Sequence, residues 1–266
     1  MTVGVLDLFR IGIGPSSSHT VGPMRAARRF AVELGARHEV AASTAGLRVH
    51  LFGSLGATGV GHGTIPAVVL GLCGAEPQLV NPDDVDPSIA AIRTSRRLTL
   101  HGGRTVPFDL DRDVLLEPNS ALPGHPNGMR FEALDADGAV VLARQYYSVG
   151  GGFVVGDDEL DEPIDADEGP PLPHPFRNAD ELVARCTETG LSVAALAMEN
   201  ETARRPAAEI RHALHEIWDA MRGCVERGCR TEGELPGGLH VQRRAAALHR
   251  TLLAGPAPTD PLVALD

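Results

Sequence analysis

The chain contains 266 residues with a mass of 28.0 kDa, and 43% of them are hydrophobic. This apolar fraction is enough to form a core, which excludes a chain that is disordered throughout. The 24 basic residues are outnumbered by 35 acidic ones, and the net charge of −11 argues against nucleic acid as a partner. Every basic residue is an arginine. Without lysine, the chain can form neither a Schiff base with pyridoxal phosphate or a carbonyl substrate nor a lysine-containing P-loop.

Two further absences bear on location and redox chemistry. The sequence has no run of about 18 apolar residues, and residues 1–10 lack the pattern of a signal peptide. We therefore expect a cytoplasmic protein without membrane contact. The cysteines are too scattered for a CxxC or ferredoxin-like motif, and we expect reduced thiols that serve mainly in packing. They are Cys73, Cys186, Cys224 and Cys229.

Acidic residues concentrate in one segment. Residues 157–168, DDELDEPIDADE, contain eight acids and no cation, and a proline-rich stretch follows them. Removing these eight charges from the net charge of −11 leaves only −3 for the rest of the chain, so the segment is typical of a solvated linker. We accordingly divide the chain into a domain at 1–156, an acidic linker at 157–175 and a helical segment at 176–266.

The first domain alternates between helical and strand patterns. Apolar residues recur at helical spacing before Gly35, and an alternation of apolar and polar residues follows. The patterns predict a helix at 20–34, a strand at 47–51, a buried helix at 64–73, and hairpins that pair 96–100 with 105–110 and 129–134 with 139–147. Antiparallel pairing favours an α+β domain, with a mixed sheet and packed helices, over a doubly wound sheet.

After the linker the pattern becomes entirely helical. One apolar stripe predicts a helix that ends at Gly228, and residues 245–253 predict another. The stripe consists of Ile210, Leu214, Ile217, Met221 and Val225. These helices have no strands to cover, so we expect them to bundle together or to dock on a further domain.

The sharpest local motif is GIGPSSSHTVGP at residues 12–23. Its glycines free the backbone, and Ser16, Ser17, Ser18 and His19 directly precede the helix whose first N–H groups lack internal partners. This composition favours a site for a small carboxylate or phosphate. One serine that caps the helix, with the others filling a turn, is the simpler alternative. A Ser-His hydrolase fits poorly, because the residues are adjacent and no GxSxG motif exists.

Two more motifs place glycine beside polar side chains. Ser54 and His62 flank a glycine-rich stretch that we interpret as a loop between the strand and the buried helix. That loop can present amides and an imidazole to a ligand or serve only as a flexible connection. His125 and Asn127 lie in the turn-rich segment 123–129, where an Asn-Gly turn is the simpler explanation.

Residues 146–153, YYSVGGGF, predict a strand whose glycines allow another backbone to approach closely. A metal site is not expected from the helical segment. His212, His215 and Glu216 lie close together there, but they do not form the HExxH arrangement of a zinc-binding helix.

Several short motifs, taken together, are highly specific for one family of proteins. They are GIGPSSSHTVGPM at 12–24, GSL at 53–55, GH followed by Thr64, LPGHPNGM at 122–129, YYSVGGGF at 146–153, AMENE at 197–201, TEG at 231–233 and the Arg243-Arg244 pair. Their order and spacing resemble the iron-sulfur L-serine dehydratases of bacteria. The resemblance spans essentially the whole chain but covers only the amino-terminal β domain of that family and the start of its catalytic domain.

The resemblance implies deamination of L-serine to pyruvate and ammonia by a [4Fe-4S] cluster without pyridoxal phosphate. The cluster would act as a Lewis acid on the departing hydroxyl while a base removes the α-proton. In the family the cluster cysteines belong to a large helical domain, which we would place after Asp266, and none of the four cysteines here matches them. We therefore expect a missing cluster-bearing domain as partner, a chain that is inactive alone, and a homodimer.

Roles for individual residues also follow from the resemblance. His19, His62 and His125 match histidines expected at the active site, as proton-transfer or orienting groups. Matching substrate-binding positions, which would position the serine carboxylate, are Ser16, Ser17, Ser18, Thr20, Ser54, Thr64 and Asn127. The β domain also resembles a regulatory domain of some D-3-phosphoglycerate dehydrogenases, so an L-serine-binding regulatory module is the second hypothesis. A scaffold that binds nothing is the third.

Overall fold

The computed structural model describes residues 4–160, 170–235 and 240–255. Part of the linker, 161–169, and the end of the helical segment, 256–266, lie outside the described residues. The strands are β1 (Gly46–Phe52), β2 (Arg97–Thr99), β3 (Thr105–Pro107), β4 (Val114–Glu117), β5 (Gly128–Leu134), β6 (Val140–Gly150) and β7 (Phe153–Gly156). The helices are α1 (Val5–Leu8), α2 (Val21–Ala36), α3 (His38–Ser43), α4 (Gly53–His62), α5 (Thr64–Leu72), α6 (Val85–Ser95), α7 (Leu110–Asp113), α8 (Ala179–Thr189), α9 (Val193–Thr202), α10 (Ala207–Gly228) and α11 (Ala245–Ala254).

The first domain is built on a mixed sheet with the strand order β4-β1-β5-β6-β7. β1 and β4 run parallel, whereas β1–β5, β5–β6 and β6–β7 are antiparallel. β2 and β3 form a separate antiparallel hairpin. The predicted α+β class is therefore confirmed, and so are both predicted hairpins.

The core lies between this sheet and the helices α2 and α5. The side chains of Leu47, Val49 and Leu51 alternate along β1 on the buried face, as the period of a strand requires. α2 buries a stripe that includes Phe30 against them, and the Phe30 ring stacks on Phe131 of β5 with 5.5 Å between ring centroids. The predicted helices at 20–34 and 64–73 and the predicted strand at 47–51 are confirmed.

The glycine-rich stretch after β1 is a helix, not a loop, so that interpretation was wrong. α4 begins directly at Gly53, and its glycines allow it to lie against the ends of two strands. A Cβ atom at Gly56 would lie 2.6 Å from the carbonyl oxygen of Leu51 and 2.8 Å from the carbonyl carbon of Glu117. Gly63, with φ of 76°, then ends α4 and lets the chain turn into α5.

The glycine run of YYSVGGGF is a turn rather than the continuation of a strand. Gly150, Gly151 and Gly152 have φ values of 103°, 57° and 76°, a region that side chains disfavour. Gly150 is the last residue of β6, and Gly151 and Gly152 connect it to β7, which begins at Phe153. The approach of another backbone, which we predicted for these glycines, is not what surrounds Gly152. A Cβ atom there would lie 2.8 Å from the side chain of Val21 on α2.

The helical segment is confirmed, including the helix that ends at Gly228, but most of its apolar surface is uncovered. On α10, Ile210 is fully buried, whereas Trp218, Met221 and Val225 are 56%, 48% and 63% exposed. Apolar residues of α11 are also exposed, among them Leu252. The described residues therefore leave an apolar stripe along these helices open.

No single helix in residues 4–160, 170–235 and 240–255 has the length and apolar character needed to span a membrane. Taken together, α4 and α5 meet those two criteria as a pair bent by 95°.

A close contact between two helices in the core gives a test of the packing. A Cβ atom at Gly71 of α5 would lie 2.3 Å from the carbonyl oxygen of Met24 on α2. We expect Gly71→Ala to lower the free energy of unfolding by about 1–3 kcal/mol, because overpacking forces the two helices apart. Chemical denaturation measures this change.

The matched control is Gly35→Ala on α2, where the nearest atom would lie 3.8 Å away. Here the better helix propensity of alanine should raise the free energy of unfolding by about 0.5–1 kcal/mol. Equal effects of the two substitutions would contradict the close crossing of α2 and α5.

Candidate functional site

His19 is the centre of a polar cluster at the amino-terminal end of α2. Its Nδ1 atom lies 2.9 Å from Ser18 Oγ, and its Nε2 atom lies 3.1 Å from Ser54 Oγ. Ser18 Oγ in turn lies 3.1 Å from Ser16 Oγ. Both nitrogen atoms of one imidazole are thus hydrogen-bonded to hydroxyls, and the four side chains form a continuous line.

One face of α4 completes the cluster. Ser54, Thr58 and His62 are four residues apart, so they lie on the same side of the helix. Thr58 Oγ1 donates to the carbonyl oxygen of Ser54, and His62 Nδ1 lies 2.9 Å from the carbonyl oxygen of Thr58. The His62 and His19 rings are in contact, with 4.6 Å between their centroids. Two of the three histidines predicted for the site therefore meet.

The environment lowers the pKa of His19 below its usual 6.5. Burial of the ring is the main cause, because desolvation disfavours the imidazolium, and the neighbouring His62 acts in the same direction. A hydrogen bond with the backbone of Ser54 opposes the shift. His19 is therefore neutral at pH 7. One of its ring nitrogens carries hydrogen and donates a hydrogen bond, and the other accepts one.

The helix end itself offers fewer free amides than the motif suggested. The N–H groups of His19 and Thr20 donate to the carbonyl oxygen of Ser16, and that of Gly22 donates to the carbonyl oxygen of Ser17. Residue 23 is a proline and has no N–H. A small anion would therefore be held mainly by side-chain hydroxyls, and the Ser17 hydroxyl is half-buried without a partner in the described residues.

The segment around His125 is joined to the cluster by a backbone hydrogen bond. The N–H of Ser54 donates to the carbonyl oxygen of Pro126 at 3.2 Å, which fixes this turn beside the start of α4. The N–H of Asn127 donates to His125 Nδ1, and its side-chain amide donates to the carbonyl oxygen of Ser148. Among the described residues, no hydrogen bond or ring contact joins His125 to His19 or His62.

Two predicted substrate-binding residues, Thr20 and Thr64, lie buried within the fold. Thr20 is 1% exposed, and its hydroxyl donates to the carbonyl oxygen of Ser16, so it closes the serine loop. Thr64 is fully buried at the first residue of α5, and its Oγ1 atom has no partner in the described part of the chain. Thr58 was not predicted, although its spacing from Ser54 and His62 would indicate it once residues 53–62 are recognised as a helix.

The thiols do not form a metal site. Cys73 follows α5, Cys186 lies in α8, Cys224 lies in α10, and Cys229 follows α10. Burial raises the pKa of Cys73 to about 11, which disfavours the thiolate that ligates iron. Across residues 4–160, 170–235 and 240–255, no three His, Cys, Asp or Glu side chains converge to hold a metal ion. These residues do not fit an iron-sulfur cluster.

The sequence of the chain matches two family models. Residues 4–159 match the serine dehydratase beta chain, and residues 188–264 match the serine dehydratase alpha chain. The chain therefore belongs to the serine dehydratase family, as its motifs indicated.

Similar proteins of known name point to one member of this family, L-serine dehydratase. The chain is 52% identical over 252 residues to the L-serine dehydratase of Streptomyces coelicolor, and 95% of the chain is covered. It is 42% identical over 266 residues to that of Mycobacterium tuberculosis, with 100% covered, and 41% identical over 266 residues to L-serine dehydratase 1 of Escherichia coli, with 99% covered. The aligned regions span 55%, 57% and 58% of these three relatives, respectively.

The contact between the two imidazoles predicts a measurable change in titration. In a His62→Gln variant we expect the pKa of His19 to rise, because the Coulombic effect by which His62 lowers it is lost while burial still lowers it below 6.5. The NMR titration of the His19 ring measures this change. The exposed His38 of α3 provides a control, since His38→Gln should leave the His19 titration where it was. An unchanged His19 pKa in His62→Gln would contradict the contact.

Proposed function

We propose that this chain is the part of an L-serine dehydratase that positions the substrate and moves protons, in the deamination of L-serine to pyruvate and ammonia. The names of its relatives support this reaction, and the serine–imidazole cluster supports the role of the chain within it. The observation that carries the proposal is the line of hydrogen bonds through both nitrogen atoms of His19.

The reaction needs a group that accepts a proton and a group that returns one. Removal of the α-proton and loss of the β-hydroxyl as water give aminoacrylate. This enamine tautomerises to an imine, which takes up one water molecule and releases ammonia to leave pyruvate. General acid–base groups are most effective when their pKa lies near the working pH.

His19 has the properties required for that transfer. It is neutral at pH 7, so its unprotonated nitrogen can accept a proton while the opposite N–H donates one to a serine hydroxyl. In this assignment the line Ser16–Ser18–His19–Ser54 moves a proton between its two ends. Because the imidazole is neutral, it is not the main counter-charge for the substrate carboxylate.

The remaining candidates take supporting roles in this proposal. The free hydroxyl of Ser17 donates to the carboxylate, and His62 holds the His19 ring in place. His125 and Asn127 border the substrate from the turn fixed by Ser54. Thr20 and Thr64 maintain the loop and the start of α5.

The family resemblance implies a [4Fe-4S] cluster, which would supply Lewis-acid chemistry at the substrate hydroxyl. Because the described residues do not fit such a cluster, we propose that its ligands come from a further polypeptide region and that the present chain is inactive alone. The open apolar stripe of α10 and α11 supports docking of such a region. We assign the assembly to the cytoplasm.

We also propose a homodimer. β7 is an edge strand of the sheet, and its Phe153 side chain is 43% exposed. An exposed edge strand with an apolar residue is a surface on which a second copy can pair. Light scattering by the purified chain measures its mass in solution.

An L-serine sensor remains the second candidate function. Ser16, Ser18, His19, Ser54 and His62 all come from one short region of the first domain, so a small acid can bind there without another polypeptide. A sensor of this kind would bind L-serine and perform no reaction.

Calorimetric titration of the purified chain with L-serine separates the two functions. The enzyme proposal predicts saturable binding only after the missing polypeptide is added, because the substrate also needs contacts from that part. The sensor predicts saturable binding by the chain alone, independent of iron and lost in His19→Ala. Absence of binding in both conditions would contradict both functions.

A complementation experiment tests the chemistry. We expect no pyruvate from the chain alone after anaerobic treatment with iron and sulfide, and pyruvate after addition of the unmatched portion of the Streptomyces coelicolor relative. In that mixture His19→Gln should lower kcat by about 10²–10⁴-fold, the typical contribution of an acid–base group. His38→Gln should retain full activity. Pyruvate formation by the chain alone, or full activity of His19→Gln, would contradict the proposal.

A further inference from the structure

A second group of cations lies on the outer side of α2, away from the serine–imidazole cluster. Arg25, Arg28 and Arg29 line a depression of about 340 Å³ together with Glu76 and Gln78. Because a water molecule takes up about 30 Å³ of liquid volume, the depression has room for roughly ten water molecules or a small organic ligand.

Two of the arginines at this depression have ordinary carboxylate partners. Arg28 forms an ion pair with Glu76 at 2.6 Å, and Arg29 binds both carboxylate oxygens of Glu159 at 2.6 and 2.7 Å. These two pairs are locally neutral.

Arg25 and the nearby Arg10 lack such partners in the described part of the chain. Arg25 Nη1 donates to the carbonyl oxygen of Gly152 at 2.9 Å, and Arg10 Nε donates to that of Gly151 at 3.3 Å. The Arg10 guanidinium also lies over the ring of Phe153, 4.9 Å from its centroid. The carbonyl oxygens of two consecutive residues in one turn thus bind two neighbouring guanidinium groups of the same charge.

The electrostatics of this arrangement favour an added anion. Burial, and then repulsion by Arg10, lower the pKa of Arg25, and the carboxylate of Glu76 partly opposes this shift. Arg25 is the fifth residue of α2, and the first turn of this helix has no acidic residue. Arg10 and Arg25 therefore add two guanidinium groups without an ion-pair partner in the described residues beside the two ion pairs at this surface.

We propose that Arg25, in the depression that it lines with Arg28, Arg29, Glu76 and Gln78, binds a small molecule that carries a phosphate group, and that the neighbouring Arg10 contributes a second guanidinium. A phosphomonoester has a charge of about −1.5 to −2 at pH 7, which complements the two guanidinium groups of Arg25 and Arg10. The planar donors of arginine suit phosphate oxygens, and the hydrogen bond to Gly152 engages only one of the N–H donors of Arg25. Free phosphate and a phosphomonoester share this chemistry, and the volume favours the ester.

Isothermal titration calorimetry of the full chain at constant ionic strength tests this site. The probes are inorganic phosphate, glycerol 2-phosphate and acetate. We expect one saturable site per chain for both phosphate compounds, with tighter binding of the ester, and a Kd for acetate that is about tenfold weaker or more. Absence of saturable phosphate binding, or equal affinity for acetate, would overturn the proposal.

Substitutions locate the binding. Arg25→Gln and Arg10→Gln should each weaken the Kd for glycerol 2-phosphate by about tenfold or more, since each removes a charge-assisted hydrogen bond. Arg25→Lys keeps the positive charge but loses the planar pair of donors of the guanidinium. Its Kd for glycerol 2-phosphate should therefore lie between that of Arg25→Gln and that of the unaltered chain. Because Arg25 and Arg10 both donate to carbonyls of the turn at 151–152, circular dichroism checks the fold of each variant, and Arg25→Lys, which can keep the bond to Gly152, separates loss of the anion site from loss of the turn.

Two control variants show whether the anion binds elsewhere on the protein. Arg93→Gln removes an exposed arginine of α6 that pairs with Asp111, and its Kd should remain within about twofold of the original value. His19→Gln should also leave phosphate binding unchanged. If Arg93→Gln weakens binding as much as Arg25→Gln, or if His19→Gln abolishes it, the anion does not bind at this depression and the proposal is wrong.

Discussion

The candidate site depends on the position of one imidazole. His19 is 9% exposed, and both of its ring nitrogens are hydrogen-bonded to hydroxyls, from Ser18 on its own loop and from Ser54 on α4. A buried polar ring without these partners would be costly. The same two bonds fix the ring against His62, and its burial keeps it neutral, so the geometry and the proton chemistry of the cluster have a common origin.

Close packing of α4 makes those bonds possible. Gly56 lets the helix lie on the backbone at the ends of β1 and β4, and Gly53 permits contact with the turn at Pro126. Larger side chains at either position would push α4 away from the serine loop and take Ser54 and His62 with it. The glycines of this segment therefore position functional groups, rather than providing the flexible connection that their number suggested.

The two ends of the molecule differ in how completely they bury apolar surface. The first domain has a continuous core around Phe30, Phe131 and Tyr146, and its polar cluster is formed without help from the helical segment. α10 and α11 bury little beyond Ile210 and Ala246 and leave Trp218 open. This contrast supports the proposed roles, in which the first domain binds and positions a small molecule and the helices contact another polypeptide region.

By itself, the sequence determined the α+β class, α2, β1, α5 and both hairpins, because their apolar periodicities follow directly from which side chains face the core. Its motifs also indicated His19, Ser54 and His62. Tertiary structure decided that residues 53–62 are helical, since close contact with the strand ends overrides the poor helix propensity of glycine. It also decided that His19 contacts His62, that the turn with His125 is joined to the site by the backbone bond between Ser54 and Pro126, and that amides of the serine loop bind its own carbonyls. Such long-range contacts depend on how α2, α4 and the turn at 123–129 pack together, which local sequence patterns do not specify.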